Sequence, residues 1–225
     1  MTVELRIGRF GRVPYETALG WQDVLVARRL AGGADALLML EHPPVYTLGR
    51  GADARFLGAA AGGEIPVLRV GRGGQVTYHG PGQLVGYPIV DLRELRPDVR
   101  WYVRGLEEVL IDSLAELGIV AMRRAGLTGV WIGRRKIASI GVGIRRWVTS
   151  HGFALNVARD VSGFAAITPC GLDGVTMTSV AAEGGPCDVE AVAEVVVRRF
   201  MRQFGYTTAS ALEVIAEARQ PEQRP

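Results

Sequence analysis

The residues best suited to chemistry in this sequence are a cysteine and a lysine. Cys170 lies between Pro169, which fixes the chain before it, and Gly171, which permits a sharp turn after it, so the thiol could stand at the tip of a loop. Lys136 is the one lysine among 26 basic residues, and a lysine amine, unlike a guanidinium, can release its proton. Because a thiol attacks only as the thiolate, Cys170 needs a helper, and Lys136, His79 and His151 are the candidates.

Both residues also have an interpretation without chemistry. Cys170 could be an ordinary buried cysteine, and Lys136 could be a surface lysine in a chain whose arginine content reflects a GC-rich genome. Cys187, just before a predicted helix, fits an inert cysteine better. Two cysteines form no disulfide framework, so we expect a reducing cytosol. No histidine or cysteine pair has ligand spacing, so no metal site is predicted.

A second feature is the glycine-rich stretch Gly71–Leu84, which holds five glycines and one proline. Apolar runs on both sides predict a strand, a glycine loop and a second strand. Glycine lets a ligand approach the backbone N–H groups closely, and the stretch also carries donors at Arg72, Gln75, Thr77, Tyr78 and His79. A binding loop is therefore predicted, with a long hairpin as the alternative.

A third feature is the segment Lys136–Ile144. As a regular strand it places one set of residues, Ser139, Gly141 and Gly143, on one face and an apolar set, Ala138, Ile140 and Val142, on the other. Glycine weakens a strand, so close approach of a ligand or of another backbone would explain the small-residue face. Regular alternation puts Lys136 on the apolar face unless the strand bends there, and the sequence leaves that open.

Hydrophobic periodicity predicts the elements that position these residues. Helices are predicted at Tyr15–Leu30, Val99–Leu117 (capped by Asp98), Val189–Phe204 (capped by Asp188) and from Ser210, with Glu213 as a capping box, to about Arg219. Strands are predicted at Val3–Phe10 (an edge strand), Ala36–Glu41, Val45–Leu48, Ile119–Arg123, Gly129–Ile132, Lys136–Ile144 and His151–Val157. Runs of strands with helices between and after them indicate the α+β class.

Composition limits the remaining possibilities. With 225 residues, of which 48% are hydrophobic, the chain suits a single catalytic domain, predicted at 1–219, followed by a disordered tail at 220–225. A net charge of +3 with few aromatic residues does not indicate a nucleic-acid binder. No apolar run approaches the roughly 20 residues of a membrane span, and the first residues do not resemble a signal peptide, so a cytoplasmic protein is expected.

Four motifs, in this order along the chain, resemble those of the lipoyl(octanoyl) transferases. They are Arg72–Leu84 with Tyr87–Ile89, then Gly129–Trp131 with Lys136–Gly141, then His151–Asn156, and finally Pro169–Leu172 with Thr178–Ser179 behind it. The resemblance runs from about His42 to Val180 and is highly specific because the order is kept and no motif position departs from the pattern.

The resemblance implies the fold of the biotin and lipoate protein ligases, a mixed β-sheet with helices packed against it. It implies transfer of an octanoyl group from acyl carrier protein to a lysine of lipoyl domains, those of 2-oxoacid dehydrogenase acyltransferase subunits and of the glycine cleavage H protein, without a cofactor. Cys170 would form a thioester acyl-enzyme, and Lys136 would tune it and shuttle protons. The acyl pocket would be lined by Arg72, Gly73, Gly74, Gln75, Val76, Thr77, Tyr78, His79, Ser139, Ile140, Gly141, Gly152, Phe153 and Ala154.

Three alternatives stay open at this point. A lipoate or biotin ligase of the same fold would activate a free acid with ATP and would need no cysteine nucleophile. A papain-like thiol hydrolase would use His79 or His151 as its base and would tolerate Lys136→Ala. A non-catalytic module for lipoyl domains or carrier protein would bind without turnover and would tolerate Cys170→Ser.

Overall fold

A large mixed β-sheet runs through the computed structural model, which describes residues 4–168 and 174–212. The strands are β1 (Glu4–Arg12), β2 (Asp35–Glu41), β3 (Val45–Leu48), β4 (Val67–Arg69), β5 (Val76–His79), β6 (Gln83–Ile89), β7 (Met122–Arg124), β8 (Leu127–Ile132), β9 (Arg135–Arg145), β10 (Val148–Asn156), β11 (Thr176–Met177) and β12 (Thr208–Ala211). The helices are α1 (Tyr15–Leu30), α2 (Leu92–Leu95), α3 (Val99–Glu116) and α4 (Val189–Phe204), with 3₁₀ helices at Ala54–Gly62 and Ser162–Ala166.

Within the described ranges the large sheet has nine strands, in the order β12-β1-β2-β6-β10-β9-β8-β7, with β11 added beside β9. The pairs of β1 with β12 and with β2 are parallel, as is the pair of β11 with β9. The other neighbours in this sheet are antiparallel. A small second sheet has the order β4-β3-β5. The predicted α+β class with a mixed sheet is confirmed.

The large sheet is covered on both faces, as the buried strand β2 illustrates. Leu37 and Met39 lie in the main core with the apolar sides of α3 and α4. Leu38 and Leu40 point the other way and lie in a second core with Ala18 and Val26 of α1. Side chains alternate across a strand, so a run of consecutive apolar residues is what a strand buried on both faces requires.

The helix ends follow the capping residues that the sequence predicts. The Asp98 side chain accepts a hydrogen bond from the Trp101 N–H at 3.0 Å, and Asp188 accepts from Glu190 N–H at 2.9 Å. Gly205 ends α4 at φ +77°, a left-handed conformation that glycine adopts without a Cβ penalty. The predicted bounds of α1 and α4 are confirmed.

Two predictions about the chain termini are wrong. Strand β1 is not an edge strand, because β12 pairs with its outer side. Ser210 does not begin a helix but lies in β12, where its Oγ donates to Glu4 Oε1 at 2.5 Å. The rest of the predicted last helix, 213–219, and the predicted tail, 220–225, lie outside the described residues.

The glycine-rich stretch is also more ordered than a single loop. Its middle forms β5, which pairs antiparallel with β3 in the small sheet, so the apolar runs before and after the stretch belong to different sheets. Each of the four residues Val76–His79 is β-branched or carries an aromatic ring, and such side chains fit a strand. Among the helices of the described ranges, none combines the length and hydrophobicity that a membrane crossing requires.

Candidate active site

Lys136 lies buried at an irregularity of β9, with 2% of its surface exposed. Val130 pairs with Ala138 and Trp131 pairs with Lys136, so β9 uses two residues where β8 uses one. Such a bulge redirects a side chain relative to regular alternation. The sequence left open whether the strand bends at Lys136, and the bulge between Ala138 and Lys136 shows that it is irregular there. The amine Nζ donates to the carbonyl oxygen of Thr128 at 3.0 Å and lies 5.2 Å from the centroid of the Trp131 ring.

The part of β8 that supplies this carbonyl depends on Gly129. Its φ is +120°, and a Cβ there would lie 2.6 Å from the Ala138 carbonyl oxygen and 2.7 Å from Lys136 Cε. The N–H of Gly129 donates to Glu107 Oε1 at 3.0 Å, while Glu107 Oε2 accepts from Arg123 Nε at 3.0 Å. Helix α3 therefore holds this part of β8 through Glu107, and the carbonyl of Thr128 in β8 holds the lysine. We call Thr128, Gly129, Trp131, Lys136 and β11 the lysine site.

Strand β11 lies directly beside the lysine. Thr176 and Met177 pair in parallel with Arg135 and Lys136, and the N–H of Thr178 donates to the Lys136 carbonyl oxygen at 2.9 Å. The predicted nucleophile Cys170 lies outside the described residues, in 169–173. The chain leads into that segment from Thr168, whose N–H donates to Phe56 O at 2.9 Å, and continues after it into β11.

A cavity of about 50 Å³ lies between β9, β10 and the glycine-rich stretch. Most of the residues predicted to line an acyl pocket surround it: Arg72, Gly74, Gln75, Val76, Thr77, His79, Ser139, Ile140, Gly141, Gly152, Phe153 and Ala154. The structure brings these three separate segments together because β10 pairs with β9 from Ser139–Ala154 to Gly141–Gly152. This volume is larger than the space that one water molecule needs.

Two residues predicted for the pocket lie elsewhere. Gly73 covers β9 instead, with its N–H donating to the Val142 carbonyl oxygen at 2.9 Å. Tyr78 faces away from the cavity and packs with Tyr46 and Phe164, at ring-centroid distances of 5.4 and 5.5 Å. Its neighbours Thr77 and His79 line the cavity, whereas the Tyr78 ring packs against the core of the small sheet.

The small-residue face of β9 contacts the glycine-rich stretch. Close approach of another backbone, one of the two explanations predicted for this face, is therefore present. A Cβ at Gly141 would lie 2.9 Å from the Gly73 carbonyl oxygen, and one at Gly143 would lie 3.4 Å from that of Gly71. Arg72 fastens the stretch to the small sheet, because its Nη2 donates to the Thr47 carbonyl oxygen at 2.7 Å and to Thr47 Oγ1 at 2.8 Å. Another backbone therefore explains part of this face, and the cavity occupies the rest.

A cluster of rings that the sequence did not predict closes part of the cavity. It contains all three histidines of the chain and two tyrosines, and we call it the histidine–tyrosine cluster: Tyr15, His42, His79, Tyr87 and His151. Tyr15 and His79 stack at 5.7 Å, and His42 and His79 meet edge to face at 5.7 Å. Tyr15, Tyr87 and His151 line the cavity besides the predicted residues. No local sequence pattern predicts that these five rings meet, since their positions span Tyr15 to His151.

Burial lowers the pKa of each histidine and so favours the neutral ring, and hydrogen bonds then select the tautomer. His42 Nδ1 lies 2.7 Å from the Val13 carbonyl oxygen, which only a donor can satisfy, so Nε2 accepts from the Tyr87 hydroxyl at 2.7 Å. Burial lowers the pKa of His42 to about 4. Burial, followed by the charge of Arg72, lowers the pKa of His151 to about 4.

His79 is held in the same way. Its Nδ1 donates to Gln83 Oε1 at 2.8 Å, and Gln83 Nε2 donates to Asn156 Oδ1 at 2.9 Å. Asn156 Nδ2 in turn donates to the Thr178 carbonyl oxygen at 2.9 Å, so a chain of amides joins the histidine to the residue that follows β11. Burial first, then His42 and Arg72, lower the pKa of His79 well below its ordinary value.

Comparison with known proteins places this chain in a family. A family model of the lipoyl protein ligase A/B catalytic domain matches residues 14–201. An octanoyltransferase of Gloeobacter violaceus is 53% identical over 197 residues, which cover 87% of this chain and 88% of the relative.

Two solved structures show the same fold. A bipartite lipoate protein ligase of Thermoplasma acidophilum superposes with a TM-score of 0.72 at 18% identity, covering 96% of this chain and 89% of that chain. A biotin protein ligase of Aquifex aeolicus, in complex with biotin and ATP, superposes with a TM-score of 0.54 at 13% identity, covering 89% and 70%. The predicted biotin/lipoate ligase-like fold is confirmed, and the sequence identity decides the activity: the chain belongs to the octanoyltransferase family and is an octanoyltransferase.

Proposed function

We propose that the chain moves an octanoyl group from the thioester of an acyl carrier protein to a lysine of lipoyl domains, through a thioester on Cys170. The observation that carries this proposal is the lysine site. The one lysine of the chain is buried and its amine is held by a carbonyl oxygen at 3.0 Å. The strand beside it, β11, is the element that the chain enters directly after the segment of Cys170.

In the first half-reaction, Lys136 accepts the thiol proton of Cys170. The thiolate attacks the carbonyl carbon of the donor thioester and forms a new carbon–sulfur bond. The tetrahedral intermediate then collapses, the bond to the sulfur of the carrier breaks, and Lys136 returns the proton to that departing sulfur. One thioester replaces another of similar energy, so ATP is not required.

In the second half-reaction, the neutral amine of the acceptor lysine attacks the acyl-enzyme. A carbon–nitrogen bond forms, the bond to Cys170 Sγ breaks, and the proton of the attacking amine passes to Lys136. Lys136 then returns that proton to Cys170, which restores the starting state. Both halves need a group that takes a proton and gives it back, which arginine does not do.

The acyl chain would lie in the cavity between β9, β10 and the glycine-rich stretch. Each methylene group of the chain that is removed from water there would contribute about 0.8 kcal/mol. Phe153 and Ala154 supply apolar wall, and Gly141 leaves space on β9 because it has no side chain. The pocket residues predicted from the sequence, apart from Gly73 and Tyr78, line this space.

The rival mechanisms receive less support. A histidine base would have to exchange protons near neutral pH, but burial lowers the pKa of His151 to about 4 and that of His79 well below its ordinary value. The ATP-dependent ligases share the fold, yet the curated relative with 53% identity is an octanoyltransferase. We therefore favour the Cys170–Lys136 pair.

We propose acidic protein partners in the cytoplasm: acyl carrier protein as donor, and the lipoyl domains of 2-oxoacid dehydrogenase acyltransferase subunits and of the glycine cleavage H protein as acceptors. Arg134 and Arg135, directly before the lysine, are exposed, although Arg135 also pairs with Glu183 at 2.9 Å. Exposed basic residues beside the reacting groups would attract such partners mainly by raising the association rate.

Intact-mass measurement tests the acyl-enzyme. After mixing with octanoyl acyl carrier protein, the chain should gain the mass of one octanoyl group without ATP. Cys170→Ala should abolish this adduct, and Cys187→Ala, the matched control, should keep it. An adduct that persists in Cys170→Ala, or one that forms only with ATP and free octanoate, would refute the mechanism.

A further inference from the structure

A buried carboxylate on α3 makes two contacts that differ in kind. Glu107 is 3% exposed, and its helix neighbours Leu106 and Leu110 belong to the main core. Its Oε2 accepts from Arg123 Nε at 3.0 Å, an ion pair that ties α3 to β7. Its Oε1 accepts from the backbone N–H of Gly129 at 3.0 Å. A buried charge is costly unless it is paired and hydrogen-bonded, and the two oxygens of this carboxylate meet both conditions.

The second contact acts on the peptide group that joins Thr128 to Gly129. The carbonyl oxygen of this group accepts from Lys136 Nζ at 3.0 Å, and its N–H is the donor to Glu107 at 3.0 Å. A peptide group is planar, and in the trans form its N–H and C=O point in opposite directions. The amine and the carboxylate therefore hold opposite ends of one rigid unit.

The pairing of β8 with its neighbours is irregular at this peptide group. Residues 127–131 of β8 lie opposite Met122–Arg124 of β7, so five residues face three, and the register of β8 with β9 also shifts in this stretch. Gly129 has φ +120°, and without a Cβ it can accept either orientation of the peptide group before it. The carboxylate selects the observed orientation, because a flipped peptide would turn its oxygen towards the negative charge.

We propose that Glu107 is a positioning residue of octanoyl transfer. It fixes the peptide group so that the Thr128 carbonyl oxygen is directed at the Lys136 amine. Its charge reinforces the geometry, since a carboxylate that accepts from the N–H polarises the peptide group and makes the carbonyl oxygen a stronger acceptor for the amine. This inference rests on the proposed function in one respect: it takes Lys136 as the group that exchanges protons.

A purely structural role for Glu107, in tying α3 to β7, can be separated from this one by its neighbour on the helix. The carboxylate of Glu108 pairs with the same Arg123 guanidinium, whereas the N–H of Gly129 donates to Glu107. Glu108 therefore shares the ion pair and not the peptide contact. Glu108→Gln is the matched control, since it makes the same chemical change one position along the helix.

Steady-state octanoyl transfer measures the effect on the reaction. Glu107→Gln keeps the shape of the side chain, but its single oxygen is drawn to the Arg123 guanidinium, so its NH₂ group faces the Gly129 N–H, donor against donor. We expect kcat to fall by about tenfold, the loss of one hydrogen bond to a charged group, with KM for the acyl donor nearly unchanged. Glu108→Gln should keep kcat within about twofold, because its ion pair is partly exposed.

The single lysine of the chain makes the position of the amine directly measurable. With lysine labelled with ¹³C at Cε, a ¹H–¹³C NMR spectrum contains the signal of Lys136 alone. A held side chain gives two distinct shifts for its ε protons, whereas rapid rotation averages them. The parent and Glu108→Gln should show two resolved ε protons, and Glu107→Gln should show one averaged shift.

Thermal unfolding checks that each variant folds. Should Glu107→Gln not fold, Glu107→Met combined with Arg123→Met removes both charges of the ion pair and leaves neither buried alone; the same fall in kcat and the same averaging are expected. Averaged ε protons in the parent would overturn the proposal, as would parental kcat in a Glu107 variant, or a lowered kcat with two resolved ε protons. If Lys136→Ala keeps parental kcat, the proposed function fails, and the spectrum still decides whether Glu107 holds the amine.

Discussion

The lysine site and the histidine–tyrosine cluster are both buried and polar, but they differ in what their groups can do. In the cluster, rings bond to rings and to the backbone, as His42 does to Val13 and Tyr87 at 2.7 Å each. Burial lowers the pKa of His42 to about 4 and raises that of Tyr87 well above its ordinary value. In the lysine site, a flexible amine is held through a backbone carbonyl at 3.0 Å and an aromatic face.

The difference teaches where proton transfer can occur in this molecule. The chain has three histidines, and the fold removes all three from titration near neutral pH and uses them as neutral hydrogen-bonding rings. A reaction that moves protons in both directions then needs another group. The cluster lines part of the cavity, and the lysine site is the place that we propose for the proton exchange.

The largest expected effect comes from replacing the lysine. Lys136→Ala should lower kcat for octanoyl transfer by about 10²- to 10⁴-fold, the range that a positioned acid–base group contributes. Lys136→Arg should be impaired almost as strongly although it keeps the positive charge, because a guanidinium does not release its proton. Steady-state transfer from octanoyl carrier protein to a lipoyl domain measures both.

The matched variant in the histidine–tyrosine cluster is His151→Asn. His151 has φ +54°, a left-handed conformation that asparagine tolerates better than most residues, and asparagine cannot act as a base. We expect it to keep at least about a tenth of the parental kcat, since a base would contribute far more. The opposite ranking, with Lys136→Ala active and His151→Asn inactive, would favour the histidine-based hydrolase.

The second effect concerns the stability of the cluster at low pH. The unfolded chain protonates its histidines near pH 6.5, whereas the folded chain binds those protons at His42 and His151 only near pH 4. Between these values the unfolded state binds more protons, so the free energy of unfolding falls as pH falls from 6.5 to 4 and does not change through these groups above 6.5. Each of the two residues contributes a loss on the order of 3 kcal/mol by pH 4.

Urea unfolding at several pH values measures the loss, and proton NMR separates the histidines from the carboxylates. With three histidines in the chain, the ring signals of the folded protein should show no titration between pH 6 and 8. A ring that titrates near pH 6.5 would mean that one histidine can exchange protons under working conditions, and the contrast with the lysine site would weaken.

How much of this arrangement the sequence predicts depends on how far apart along the chain the interacting residues lie. Residue type alone singles out Lys136, and strand alternation correctly separates Gly141 from Ile140, which packs against the main core. The caps of α3 and α4 are local and were predicted to the residue. These features depend on a few consecutive residues, which a sequence contains in full.

The features that the sequence did not predict depend on pairing between distant segments. The bulge that redirects Lys136 exists only because β8 and β9 pair with unequal numbers of residues. Strand β5 is stabilised by β3, about thirty positions earlier, so its glycine-rich flanks suggested a loop. Tyr15 of α1, His42 after the end of β2 and Tyr87 of β6 are distant in sequence and meet only in the folded chain.

The smallest expected effect on activity comes from a variant that displaces the Lys136 amine but keeps the lysine. In Gly129→Ala the new Cβ would lie 2.7 Å from Lys136 Cε and 2.6 Å from the Ala138 carbonyl oxygen, so the amine has to leave its position at Thr128. We expect kcat to fall by about tenfold, the effect of about 1.4 kcal/mol on the barrier. Gly126→Ala is the matched control, because it also has a positive φ, +76°, but its Cβ meets nothing within 4 Å.

Both alanines strain the backbone by on the order of 1–3 kcal/mol, so thermal unfolding should report a loss in each. Only Gly129→Ala should then lose activity at a temperature where both variants are folded. Equal activity in the two would mean that the exact position of the amine is unimportant and that charge near Cys170 suffices. A loss confined to Gly129→Ala would tie the rate to the position that Glu107 and β8 impose on Lys136.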